Sequence, residues 1–183
     1  MNTPRSPGQQ RRDGASMSKR IPGFCLMLAC ALLLPPPAAA SVGPADFVLV
    51  RKSAARLYLM RDGEILKSYH ISLGRNPIGA KVAEGDMRTP EGRYYLDYKN
   101  TDSAFHRSIH ISYPNDWDRL RAAARGVSPG GMIMIHGQKN GFAWRTRITQ
   151  RLNWTNGCIA VSNDAMDEIW DAVAEGTPIQ IVP

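Results

Sequence analysis

Asp62-Gly63 stands between two apolar runs, residues 56–61 and 65–73. An Asp-Gly pair tolerates the positive φ angles of a tight reversal, so the chain is expected to fold back there into a β-hairpin. That hairpin sets the class of the rest. Residues 47–50 read as a short apolar strand. Residues 93–98 carry β-forming aromatics, and residues 108–113 alternate until Pro114 stops them. Residues 132–135 are a fully apolar strand, and residues 179–182 close the chain as another. Two helices interrupt the series. Asn115 caps one over residues 116–125, ended by Gly126. Ser162 or Asn163 caps the other, which runs through Ala174 with Met166, Ile169, Trp170 and Val173 at helical spacing. Residues 74–92 and 138–153 read as loops. The expected fold is mainly β with two or so short helices, a β-sandwich or partly closed barrel.

Residues 1–40 read as a signal peptide. Arg11, Arg12, Lys19 and Arg20 form a basic region, residues 21–34 a short apolar region, and Ala38-Ala39-Ala40 a small-residue cleavage site. Met17 is an alternative start. The apolar region is too short, and too abruptly ended by prolines, for a stable membrane span. Met27-Leu28-Ala29 is a poor lipobox for Cys30, and no apolar residue closely follows Arg11-Arg12 as a twin-arginine signal needs. Residues 41–183 then form one domain in the periplasm. Five of the 23 Lys+Arg and one of the 16 Asp+Glu precede Ser41, leaving 18 basic residues against 15 acidic. No block of like charge suggests a nucleic-acid partner.

Removing that segment also removes Cys25 and Cys30 and leaves Cys158 alone. Exported proteins usually pair their cysteines or lack them, so a single thiol is a candidate nucleophile. An isolated cysteine also serves as a small buried hydrophobe; the Asn156-Gly157-Cys158 setting and the export signal favour catalysis. His136 ends the apolar strand upstream and is the best-placed general base, with His70, His106 and His110 as alternatives by spacing. Gly137 and Gly157 permit close backbone approach, and N–H groups around Gly157 and Cys158 suit an oxyanion hole. One cysteine with scattered histidines lacks a zinc-ligand spacing. Arg145, Arg147 and Arg151 read equally as a solvated face or as carboxylate-binding groups, and Trp154 equally as core or site. Because His136 and Cys158 bracket residues 138–153, that segment is expected to arch over the thiol as a lid carrying at least one of those arginines. An imidazole nitrogen of His136 is expected within about 4 Å of the sulfur, with Asn156 beside it.

Together these residues resemble the YkuD-type L,D-transpeptidase catalytic domain. The resemblance covers residues 46–183. It rests on Thr89-Pro90-Glu91-Gly92-Arg93-Tyr94, Ile135-His136-Gly137, Thr155-Asn156-Gly157-Cys158-Ile159 and Asn163-Asp164. The family commonly has His two residues before the cysteine and Arg or Asn two after it; here Asn156 and Ala160 stand there. Asn156 retains an amide donor but cannot act as a base. The stretches 154–161 and 108–115, the latter with His110, are similar to a short proteobacterial branch. The resemblance implies acyl transfer on peptidoglycan stem peptides through a Cys158 thioester, without metal or organic cofactor. D-alanine would leave, and an amine of diaminopimelate or of a wall-linked lipoprotein lysine would accept the acyl group. A hydrolase using the same residues and a catalytically silent wall-binding module are the alternatives.

Overall fold

The computed structural model describes residues 43–183, so the expected signal peptide, Cys25 and Cys30 lie outside the described residues. The elements run β1 (Phe47–Arg51), β2 (Arg56–Arg61), β3 (Glu64–His70), β4 (Gly92–Ser103), β5 (His106–Ile111), α1 (Asp116–Ala123), β6 (Met134–His136), α2 (Thr146–Thr149), β7 (Ile159–Ala160), α3 (Asn163–Ala172) and β8 (Thr177–Val182). The strands form one eight-stranded sheet in the order β3-β2-β1-β8-β4-β5-β6-β7. It is mixed: β1 with β8 and β6 with β7 are parallel, and the other neighbours are antiparallel.

The hairpin at Asp62-Gly63 forms as expected, with Asp62 at φ 52° and Gly63 at φ 81°. Alternation then sorts the side chains. Val48, Val50, Leu57, Leu59, Ile179 and Ile181 point inward and are buried, with β4, β5 and β6 adding Tyr94, Leu96, Ile109, Ile111 and Ile135. Helix α3 packs on this face through Ala165, Met166, Ile169 and Ala172. Each such Leu or Ile stabilises the fold by about 1.5–3 kcal/mol relative to exposure.

The sheet is partly closed. Past β3 the chain continues to Ser72, which exchanges two hydrogen bonds with Ala160 of β7, both 2.8 Å. Thr155 N–H donates to the Leu73 carbonyl and Arg75 N–H to the Thr155 carbonyl, at 3.2 and 3.0 Å. The first and last strands of the sheet are thus sewn along one seam, and the segment entering Cys158 is one of its sides.

Three boundaries depart from expectation for local reasons. Residues 132–135 do not form the strand as a block. Met132 sits at φ 57°, so pairing begins only at Met134 and extends to His136. Strand β4 runs on to Ser103, making a twelve-residue arm that turns through Ala104-Phe105 into β5. Residues 138–153 are not all loop, since a short 3-10 turn (Ala143–Arg145) leads into α2. That single helical turn has no side-chain cap and buries no residue, so neither capping nor apolar spacing announces it. Among the described residues no helix is long and apolar enough to cross a membrane.

Candidate active site

His136 ends β6, Cys158 immediately precedes the neighbouring β7, and both line one cleft of about 520 Å³. In the β6–β7 ladder Ile135 pairs with Ile159 and His136 with Ala160. Ile135 and Ile159 point into the core, both fully buried. Side chains alternate, so Met134, His136, Cys158 and Ala160 share the opposite face. His136 is one strand across and two residues along from Cys158, a backbone diagonal of roughly 8 Å. The two side chains close that diagonal from opposite ends.

Each group is oriented by backbone. His136 Nδ1 donates to the Gly137 carbonyl at 2.7 Å, which leaves Nε2 with the lone pair as the basic nitrogen. The ring is 5 % exposed by residue, and burial holds its pKa below the ordinary value, only partly offset by that hydrogen bond. The free thiol of Cys158 accepts from Met134 N–H at 3.4 Å and turns its own S–H to the Met132 carbonyl at 3.7 Å. Burial pushes its pKa up; the Met134 N–H and the charge of Lys81 pull it back. Both shifts favour neutral partners, so the resting pair is a thiol and an imidazole. Among the described residues no hydrogen bond joins them, and the thiol's hydrogen bonds go to the Met134 N–H and the Met132 carbonyl.

Two glycines make the turn possible. Gly157 has φ 133°, and a Cβ there would lie 2.7 Å from the Arg88 carbonyl oxygen. A Cβ on Gly137 would lie 2.7 Å from Asn163 Oδ1 and 2.9 Å from His106 Cβ. Gly157 N–H donates to Thr155 Oγ1 at 3.1 Å, and that hydroxyl donates to the Cys158 carbonyl at 2.7 Å. The Gly157 N–H is therefore committed to shaping the turn. Asn156 is exposed and lines the cleft beside Cys158, its Oδ1 accepting from Arg75 Nη2 at 3.0 Å.

The roof is the tip of the β4–β5 arm. Asn100, Asp102, Ser103, Ala104 and Phe105 line the cleft. The Phe105 ring lies 4.7 Å from that of His136, Trp154 approaches His136 edge-on at 5.7 Å, and Phe105 and Trp154 are 6.0 Å apart, so the imidazole shares a three-ring cluster with two aromatics. Asn140 holds the tip: its N–H and Nδ2 donate to the carbonyls of Ala104 and Ser103, both at 3.0 Å, and its Oδ1 accepts from His106 N–H at 2.8 Å. Gly137 N–H donates to the Phe105 carbonyl at 3.1 Å.

The segment expected as a lid lies elsewhere. Ser72 Oγ donates to the Thr149 carbonyl at 2.9 Å, and Leu73 N–H to Asn153 Oδ1 at 3.0 Å, so residues 146–153 pack along the seam. Buried Gln138 braces them, donating to the Val161 carbonyl at 2.6 Å and accepting from Thr149 Oγ1 at 2.6 Å. Of residues 138–153 only Lys139 lines the cleft. Arg145 stacks over Trp144 and Phe142, Arg147 lines a separate hollow with Asp164, and Arg151 is exposed. The other histidines are also placed away from the thiol. His110 pairs with Asp97 at 2.7 Å and stacks on Tyr98, His106 pairs with Asp167 at 2.8 Å, and His70 is exposed at the end of β3.

Several residues of the site escaped sequence reading. Phe105 and Asn140 matter only once the arm folds over β6. Arg75 and Lys81 enter from the 74–92 loop, where no motif singled them out. Lys81 and Gly85, with Met87 and Gly130, line a second hollow of about 340 Å³ that shares Met132, Asn156 and Cys158 with the cleft. Among the described residues no cluster of His, Cys, Asp or Glu is arranged to hold a metal ion.

Comparison with known proteins fits this geometry. Residues 45–181 match the YkuD family, described as L,D-transpeptidase catalytic domain. YafK of Escherichia coli (strain K12), provisionally described as an L,D-transpeptidase, is 31% identical over 112 residues, 60% of this chain and 38% of that protein. The chain thus spans well under half the length of that relative. The helical cell shape determining protein Pgp2 from Campylobacter jejuni superposes with a TM-score of 0.55 at 26% identity, covering 80% of this chain and 51% of that one. An L,D-transpeptidase from Xylanimonas cellulosilytica shares the fold, with a TM-score of 0.53 at 18% identity over 80% of this chain and 63% of that one. The curled sheet, the thiol and imidazole at the ends of its last two strands and the match over residues 45–181 agree: the chain belongs to the YkuD-type L,D-transpeptidase catalytic domain family.

Proposed function

We propose that this chain is an exported, cysteine-dependent acyltransferase acting on peptidoglycan stem peptides in the periplasm. The observation that carries the reading is the free thiol of Cys158 on one face with the basic Nε2 of His136, under an aromatic roof. Cys158 Sγ attacks the carbonyl on the L-centre of diaminopimelate. The S–C bond forms, the C–N bond to D-alanine breaks, and His136 carries the thiol proton to the departing amine. An acceptor amine then attacks the thioester, its N–C bond replaces S–C, and the proton returns to sulfur through His136. The amide of Asn156, its oxygen held by Arg75, offers its N–H₂ to the developing oxyanion. The acceptor is a second diaminopimelate or a wall-linked lipoprotein lysine. Two hollows meeting at the sulfur support transfer between two peptides. The likeness to Pgp2 extends the proposal to a contribution to cell shape.

The test is intact-protein mass spectrometry with a carbapenem, followed by product analysis on a purified disaccharide-tetrapeptide. A covalent adduct that Cys158→Ser abolishes, together with cross-linked product, supports the reading. Free tripeptide without cross-links assigns hydrolysis to the same site. No adduct and no turnover would leave a wall-binding module.

A further inference from the structure

Arg75 is the cleft cation with the most unused hydrogen-bonding capacity. It follows Gly74 where the chain leaves the seam. Its Nε donates to the Trp154 carbonyl at 3.4 Å and its Nη2 to Asn156 Oδ1 at 3.0 Å. Both acceptors are neutral. A guanidinium carries five N–H donors, so three remain. Among the described residues Arg75 has no carboxylate partner, whereas Arg107 and Arg121 each have one. Lys81, on the other side of the thiol, is already bound to Asp86 and to the Ala83 carbonyl, both at 2.9 Å. Lys139, the other cation lining the cleft, lies 5.6 Å over the Phe142 ring. Among the described residues Asp102 is the only carboxylate in the lining, against Arg75 and Lys139.

We propose that Arg75 is a substrate-binding residue that recognises the free α-carboxylate of the residue leaving from the donor peptide. The inference rests on the acyltransfer reading of Cys158. Arg75 grips the turn at Trp154 and Asn156, and Asn156 is two residues before the nucleophile. A terminal carboxylate lies one residue beyond the scissile carbonyl, roughly 4 Å along the chain. Two parallel N–H donors suit a carboxylate, and a charge-assisted pair of this kind is stronger than a neutral hydrogen bond. The same contact explains what Asn156 does here in place of the family's common histidine. An amide oxygen accepts from Arg75 at every pH, whereas an imidazole accepts only while neutral and repels the guanidinium once protonated. Asn156 therefore keeps the arginine in place, and its N–H₂ is turned away from Arg75.

The test compares two donors in the full chain: a disaccharide-tetrapeptide with a free terminal carboxylate and the same molecule as its terminal carboxamide. Wild type is expected to favour the acid by about a hundredfold in kcat/KM. Arg75→Gln is expected to bring the two donors within about threefold, by lowering kcat/KM for the acid far more than for the amide. Arg75→Lys should restore part of the preference, as a point charge without the planar fork does. Equal wild-type rates on both donors would overturn the proposal. So would an Arg75→Gln variant that loses the same factor on both, which marks a structural role, or a preference abolished by Lys139→Gln and untouched by Arg75→Gln. Wild type inert on both donors, with no carbapenem adduct, would instead remove the acyltransfer reading beneath it.

Discussion

The β4–β5 arm and the 138–153 segment both border the site, and they do opposite work. The arm is separated from Cys158 by some fifty positions of sequence, yet its tip forms the roof, with Phe105 against the His136 imidazole. The 138–153 segment directly joins the two chemical residues, yet it is braced along the seam by Gln138, Ser72 and Leu73 and contributes only Lys139 to the cleft. A roof must cross the open face of the strands it covers. The order β4-β5-β6-β7 places the arm beside that face. Sheet order, and not the spacing of catalytic residues, decides which stretch of chain shelters them.

The largest expected effect sits beneath both regions. His136→Gln removes the basic nitrogen while keeping a side chain of similar reach, and kcat should fall about 10²- to 10⁴-fold. Steady-state turnover of a tetrapeptide donor measures it; a drop below tenfold would place the base elsewhere. Next, Phe105→Ala strips the roof from the imidazole and admits water. It should lower kcat/KM about tenfold while leaving the melting temperature within about 2 °C, because Phe105 is only partly buried. Arg147→Glu, in the other region, should change KM less than about twofold. A reversed pair of results would return the lid role to residues 138–153.

Gln138→Ala probes the brace. It leaves the Val161 carbonyl and Thr149 hydroxyl without their partner and should cost about 1–3 kcal/mol. Thermal unfolding should report this, with kcat/KM within about threefold of wild type. A variant that loses activity and keeps its stability would show the segment to be part of the catalytic machinery.

The smallest effect is in pH. Burial raises the Cys158 pKa, so alkylation by iodoacetamide should follow a midpoint above the ordinary thiol value of about 8.5. His136 is shifted the other way: the unfolded chain takes up a proton that the folded one refuses, so stability falls as pH drops below about 6.5. For Cys158 the unfolded chain releases its proton first, so stability falls as pH rises above about 8.5. His136→Gln should flatten the acid side of that dome and Cys158→Ala the alkaline side. An alkylation midpoint near 7 would mean a thiolate–imidazolium pair in place of the neutral one.

The hairpin at Asp62-Gly63, the alternating strands and the two capped helices were legible because each signal is local. Turn residues, period-two alternation and an Asn or Ser cap act within a few positions. Cys158 and His136 were legible because composition leaves one thiol, and because an apolar run ending in His-Gly delivers that ring at a strand end. What escaped was long-range. Phe105 reaches His136 only through a hairpin packed over β6. Arg75 reaches Asn156 across 81 positions of sequence. The Met132 backbone that holds the thiol proton depends on a left-handed residue no pattern announces. The lid expectation failed for the same reason: it inferred three-dimensional cover from adjacency along the chain.

The seam at Ser72 and Ala160 bears on when the Cys158 thiol takes up its place. Strand β7 is two residues long and begins immediately after the nucleophile. Its outer edge is paired by a stretch that lies nearly ninety positions earlier in the chain. Contacts of such sequence separation form slowly, because the loop between them must first be closed. A chain not yet folded therefore carries Cys158 without the edge that pairs the turn before it. On the proposed function, a thiol placed in this topology is oriented for attack only once its own fold is complete.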